Sequence, residues 1–181
     1  MAALLVAACA GTPPGTRRPA PEFAFADPPY AVDGRLSARH AGDAVAVHFA
    51  WRHDPPRDEL IVTTPLGQTV AELSGDTAAG RVEVRMADGR RAQASDWPTL
   101  TERALGFPLP VSGLAAWIRA EPRRGSAYSV EADAEGRVAV LRQDGWEVVY
   151  TYADAAARRP ARLFLSYPDV EVRVVIDAWR P

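Results

Sequence analysis

Lysine is absent from this 181-residue sequence: all 21 basic residues are arginine, scattered among 23 acidic residues for a formal net charge of −2. The scatter reads as a coding bias. With no block of like charge, the chain offers neither a nucleic-acid footprint nor a polybasic patch for a membrane. Cysteine occurs once, at Cys9, which leaves no pair for a disulfide and no cysteine-based metal site. Beyond the first nine residues there is no long apolar run, and that excludes a transmembrane helix there. Catalytic motifs are missing as well: there is no Gly-x-Ser-x-Gly elbow and no glycine-rich phosphate loop. The three histidines, His40, His48 and His53, have no metal-ligand spacing; His48 falls on the small-residue face of a strand and His53 in a turn. The acidic residues fall on polar strand faces and in turns. The pattern predicts no enzyme, no metal and no cofactor.

What is present begins with the N-terminus. Ala2-Ala3-Leu4-Leu5-Val6-Ala7-Ala8 ends at Cys9. At ~1.5 Å rise per residue the segment is far too short to span a bilayer, but it suits the end of a secretory signal. Val6-Ala7-Ala8-Cys9 resembles a bacterial lipobox, in which the bond before the cysteine is cut and the thiol takes a diacylglyceride. The positive segment that normally precedes such a run is missing, so the true start is expected upstream. Residues 10–29 carry six of the 16 prolines and are expected not to pack but to act as a semi-extended tether. The predicted organisation is therefore a signal-peptide remnant at 1–8, a lipidated proline-rich tether at 9–29 and a folded domain at 30–181. Ala10 follows the cysteine; in what resembles a sorting code, Asp there retains lipoproteins in the inner membrane, and its absence favours the outer membrane.

Alternation with period two dominates the remainder. Val45, Val47, Phe49 and Trp51 share one strand face; Val82, Val84 and Met86 share another. Val138, Val140 and Arg142 alternate with Ala139, Leu141 and Gln143, and Trp146, Val148 and Tyr150 with Glu147 and Val149. Leu163, Leu165 and Tyr167 form one further set and Val172, Val174 and Ile176 another. Turn signals such as Ala41-Gly42-Asp43, Asp54-Pro55-Pro56 and Asp144-Gly145 separate them. About eleven strands follow, joined mostly by hairpins, and an antiparallel meander of that size curls into a barrel or strongly curved sheet. The spacing turns helical once. Trp97, Leu100, Ala104 and Leu105 form one stripe, ended by Gly106, and Ser112 can cap a second helix carrying Leu114, Trp117 and Ile118. These helices either plug the curved sheet as core or cover an apolar cavity as a movable lid; the pattern leaves both open. The five tryptophans, Trp51, Trp97, Trp117, Trp146 and Trp179, serve as core or as the lining of a site for acyl chains. Pro65 and Gly67 suit positions i+1 and i+3 of a turn, which sets Leu66 at a hairpin tip, where it is either an ordinary exposed residue or a probe for a bilayer.

In order and spacing, Gly34-Arg35-Leu36, Phe49-Ala50-Trp51, Pro65-Leu66-Gly67, Leu105-Gly106-Phe107-Pro108-Leu109-Pro110, Leu114 with Trp117, Gly145-Trp146 with Tyr150, and Trp179 resemble the LolB family of outer-membrane lipoprotein receptors. The resemblance implies a half-open antiparallel β-barrel with a helical lid over an apolar cavity. It implies a monomer that accepts lipoproteins from the periplasmic carrier LolA and inserts them into the inner leaflet of the outer membrane. Cys9 is then the lipid-modified residue and Leu66 the membrane-inserting one. Trp51, Leu100, Leu105, Leu114, Trp117, Ile118 and Trp146 are the residues expected at the cavity and lid. Ala120 departs from the family, which more often has Gly there. A lipid-anchored module for another hydrophobic ligand, and a structural envelope lipoprotein with a filled barrel, are the competing readings.

Overall fold

The computed structural model describes residues 21–105 and 111–180. Cys9 and residues 106–110 lie outside that description, as do the side chains of Ala104 and Leu105. The chain forms β1 (Tyr30–His40), β2 (Asp43–Asp54), β3 (Arg57–Thr63), β4 (Thr69–Asp76), β5 (Arg81–Met86), β6 (Arg91–Ala94), α1 (Trp97–Leu105), α2 (Val111–Trp117), β7 (Tyr128–Ala132), β8 (Val138–Gln143), β9 (Trp146–Thr151), β10 (Arg162–Tyr167) and β11 (Val170–Arg180).

All eleven strands belong to one antiparallel sheet, in the order β6-β5-β4-β3-β2-β1-β11-β10-β9-β8-β7. Each half is a run of hairpins, and the first and last strands pair to join them, from His40 opposite Val170 to Ala31 opposite Arg180. The sheet does not close: its edges are β6 and β7, the strands that flank the helical insertion in sequence. The expected meander and half-open barrel are thus the observed fold, with α1 and α2 carried across the gap between the edges.

The turns follow from their residues. Ala41 and Gly42 both have positive φ, 50° and 91°, the two-residue turn whose twist suits a hairpin. Thr64 accepts at its carbonyl from the Gly67 N–H at 2.9 Å, and Gly67 sits at φ 83°, a position that Gly occupies without steric cost. The inward faces mostly obey the alternation, with one correction. In β8, Val138, Leu141 and Gln143 are all buried, so the two alternating sets do not hold. Glu131 pairs with Val140 and Ala132 with Val138, which leaves Ala139 as an extra residue. That bulge switches faces within the strand, and alternation alone cannot foresee it.

The helices also differ in detail from expectation. Asp96 caps α1, its Oδ1 accepting from the Thr99 N–H at 2.8 Å. Ser112 is the second residue of α2 rather than its cap. Beyond α2, Ala120 takes φ 60° and its N–H bonds the Trp117 carbonyl at 2.9 Å, a left-handed termination made without glycine.

Candidate functional site

Between the concave face of β1–β5 and the two helices lies a cavity of about 180 Å³. Its sheet wall is aliphatic and aromatic, with Leu36, Val47, Phe49, Trp51, Leu60 and Met86 among its members, and Leu100, Val111, Leu114 and Ile118 come from the helical side. Among the described residues no polar atom is presented to the interior. Thr101, also in the wall, turns its hydroxyl onto the Trp97 carbonyl at 2.9 Å. A space with such a lining has nothing with which to hold water, and apolar cavities of this kind stay dry and accept apolar guests. Val45 lines it and is nevertheless 45% exposed, so the cavity opens at the β1–β2 hairpin end of the sheet.

The same end carries Leu66. The β2–β3 ladder stops at His48 opposite Thr63, and the β3–β4 turn continues beyond it. Leu66 is 89% exposed at the tip, the most exposed large apolar side chain among the described residues.

Of the side chains expected at the cavity, the structure brings Trp51, Leu100, Leu114 and Ile118 together in its wall. Trp117 and Trp146 are not in the wall but pack against each other, with ring centroids 6.5 Å apart, and Trp146 stacks on Tyr167 at 5.1 Å. Their place follows from the indole N–H: Trp117 Nε1 donates to Gln143 Oε1 at 2.8 Å, and only a polar neighbour permits that. Gln143 in turn accepts from the Arg123 N–H and donates through Nε2 to the Arg123 carbonyl and the Ser126 hydroxyl, each at 2.9 Å. It is a buried amide that fixes where the chain leaves α2.

A second polar cluster went unforeseen in the sequence. His53 lies not in a turn but on β2, with its side chain buried on the inward face. Its Nδ1 meets Asp58 Oδ1 at 2.7 Å and its Nε2 meets Asp27 Oδ1 at 2.9 Å. Asp58 Oδ1 also accepts from Trp51 Nε1 at 2.8 Å, so the indole in the cavity wall is oriented from behind. Burial opposes a charge on His53, but hydrogen bonds and attraction from the two carboxylates outweigh it and hold the imidazole above its ordinary range. Arg119, just past α2, donates to the carbonyls of Ala26 and Ala115 at 3.0 Å and lies 3.5 Å from Asp27. Tyr30 donates to the Ala115 carbonyl at 3.1 Å. Phe23 and Phe25 meet Tyr128 at centroid distances of 5.8 and 5.9 Å. Residues 23–27 therefore do pack, contrary to the expectation for the proline-rich stretch, and form a strap joined to α2 and to β7. The signal in the sequence was the pair Phe23 and Phe25 within a segment otherwise suited to solvent.

Residues 28–179 match the family model described as outer membrane lipoprotein LolB. The chain is 41% identical over 179 residues to the outer-membrane lipoprotein LolB of Chromobacterium violaceum, covering 98% of this chain and 94% of that one. It is 37% identical to the LolB of an Azoarcus species, with 99% and 91% covered. Among solved structures, a LolA superfamily protein from Nitrosomonas europaea superposes with a TM-score of 0.51 at 8% identity, over 85% of this chain and 86% of that one. That likeness concerns the fold.

Proposed function

The chain belongs to the outer membrane lipoprotein LolB family, and on that footing we propose that it is an outer-membrane lipoprotein receptor that takes mature lipoproteins from a LolA-like periplasmic carrier and inserts them into the inner leaflet of the outer membrane. Lipid on Cys9 anchors it there, facing the periplasm. The observation that carries this reading is an apolar cavity opening at the end of the sheet from which Leu66 projects.

The physics of the task is transfer without exposure. Each methylene of an acyl chain brought into water costs about 0.8 kcal/mol, so a carrier, a receptor and a bilayer must hand the chains over through apolar surroundings. Direction comes from affinity: the receptor holds the chains better than the carrier, and the bilayer better than the receptor. Leu66 serves the last step, because a large apolar side chain at a turn tip gains by entering hydrocarbon. The cavity supplies the middle step, but at about 180 Å³ it is only slightly larger than the roughly 150 Å³ that accommodates a benzene ring. A lipoprotein's acyl chains need it to widen, and α1 is the element that yields.

The deciding experiment follows a labelled lipoprotein from the carrier to this protein and on to liposomes. Transfer at both steps is expected for the wild type, and no acceptance from a loaded carrier would remove the proposal. Leu66→Glu should accept cargo as well as the wild type yet fail to deliver it; normal delivery would strip Leu66 of its role. Cys9→Ala, exported by another signal, should remain a competent soluble acceptor.

A further inference from the structure

At the cavity mouth one strand is only half paired. β2 is bonded to β1 from Asp43 to His53, but to β3 only from His48 onward. After Thr63 the chain turns away, closing the β3–β4 hairpin by the Thr64 N–H to the Gln68 carbonyl at 2.8 Å. Asp43–Val47 thus keep a free edge among the described residues.

Which groups face it follows from the hairpins. The two-residue turn at Ala41-Gly42 makes His40 and Asp43 a mutually bonded pair, so Asp43, Val45 and Val47 bond to β1. The turn at Pro55-Pro56 makes Asp54 and Arg57 such a pair, so the even residues of β2 bond to β3. Both turns agree: Ala44 and Ala46 direct their N–H and C=O groups to the free side. Their methyl groups, on the convex face, obstruct nothing.

Proteins ordinarily blunt an exposed edge with proline, charge or a cover. Of the two formal edges of the sheet, β6 has α1 packed against it, and β7 has Phe23 and Phe25 packed on Tyr128 at its start. Among the described residues Ala44-Val45-Ala46-Val47 has none of these protections, and Val45 and Val47 continue directly into the cavity wall.

We propose that this edge docks the cargo's own peptide: the extended segment after the lipidated cysteine adds to β2 as a strand while the acyl chains occupy the cavity. The inference rests on the cargo reading above. A chain whose lipid lies behind Val45 and Val47 must emerge beside Ala44 and Ala46. Recognition by backbone groups ignores side-chain identity, which suits a receptor for many different lipoproteins.

The test uses the full chain and two probes, a diacylglyceryl-cysteine amide and the same lipid followed by an eight-residue proline-free peptide. The wild type should bind the peptide-bearing probe roughly tenfold more tightly, the worth of one or two net hydrogen bonds. Ala46→Pro removes an N–H that faces the free side, a place where an edge strand tolerates proline, and should abolish the difference. By hydrogen exchange, the amides of Ala44 and Ala46 should be fast in the free protein and slowed by the peptide-bearing probe alone. Equal binding of the two probes by the wild type, or an undiminished preference in folded Ala46→Pro, overturns the inference while leaving the cavity reading intact. Binding of neither probe defeats the cavity reading itself. Slow exchange without cargo that is released by deleting residues 10–20, or by dilution, would assign the edge to the chain's own tether or to a second copy and would also overturn the inference.

Discussion

The two helices enclose the same cavity yet are held in different ways. α2 has six of its seven residues buried, and its indole N–H is received by Gln143. It is further bonded by Tyr30 and Arg119 through the Ala115 carbonyl. α1 rests on the edge strand β6 and its neighbour β5, with Trp97, Leu100 and Thr101 buried and Glu102 and Arg103 in solvent. Trp97 is completely buried, but its Nε1 has no hydrogen-bond partner among the described residues. A buried indole N–H left unsatisfied costs about 1–3 kcal/mol. The contrast sets α2, tied down by side-chain hydrogen bonds, against α1, held by apolar packing around an indole N–H that is left unsatisfied among the described residues.

The largest test removes each tryptophan. Trp117→Ala should cost about 3–5 kcal/mol of global stability, measured by urea unfolding, with loss of cooperativity. Trp97→Ala should instead free α1 while the sheet stays folded, seen as rapid hydrogen exchange limited to α1 and enhanced bis-ANS fluorescence. Equal global losses at both positions would erase the contrast. A milder form is Trp→Phe: position 117 should lose about 1–3 kcal/mol more than position 97, because only there is a satisfied bond broken.

Gly75 sharpens the comparison from the sheet side. A Cβ there would stand 2.5 Å from Cζ2 of Trp97, so the close approach of α1 to β4 requires glycine. Gly75→Ala should cost about 1–3 kcal/mol and raise the uptake of an acyl probe by loosening α1, with α2 amides still protected.

The strap that pins α2 answers to pH. His53 is held above its ordinary range, so its contribution is complete below the unfolded value of about 6.5 and is lost as pH rises through the higher folded value. The urea midpoint should therefore fall from pH 6 toward pH 9. Asp27→Asn, which weakens the support at Nε2, should begin that fall at a lower pH. A flat profile in the wild type would detach His53 from stability. The smallest effect concerns Ala120. Ala120→Gly should relieve the left-handed strain and stabilise by about 0.5 kcal/mol or less, since the lost methyl burial offsets part of the gain.

Most of the sheet could be read from the sequence because hairpins and alternation are local properties. Pro65-Leu66-Gly67 announced its own turn, and the stripe from Trp97 to Leu100 its own helix. What stayed hidden depends on distant partners. His53 looks like a turn residue until Asp58 arrives across the hairpin and Asp27 from the strap. Trp117 looked like cavity lining until Gln143 claimed its N–H, a switch of faces made by the bulge at Ala139. Period two tells which residues point inward; it does not tell where the inward space is left empty, and the cavity is walled by ordinary Leu, Val and Met more than by tryptophan.

The pairing of β1 with β11 has a consequence for how the chain acquires its structure. Every other strand pairing joins neighbours in sequence, and such contacts form early because little loop entropy opposes them. The join between the halves needs the first strand and the last. During export the N-terminal hairpins can therefore assemble while β1 still presents a bare ladder of eleven residues, waiting for the final segment to emerge. Completion of the barrel then waits on β11, the partner of β1 that is farthest from it in sequence.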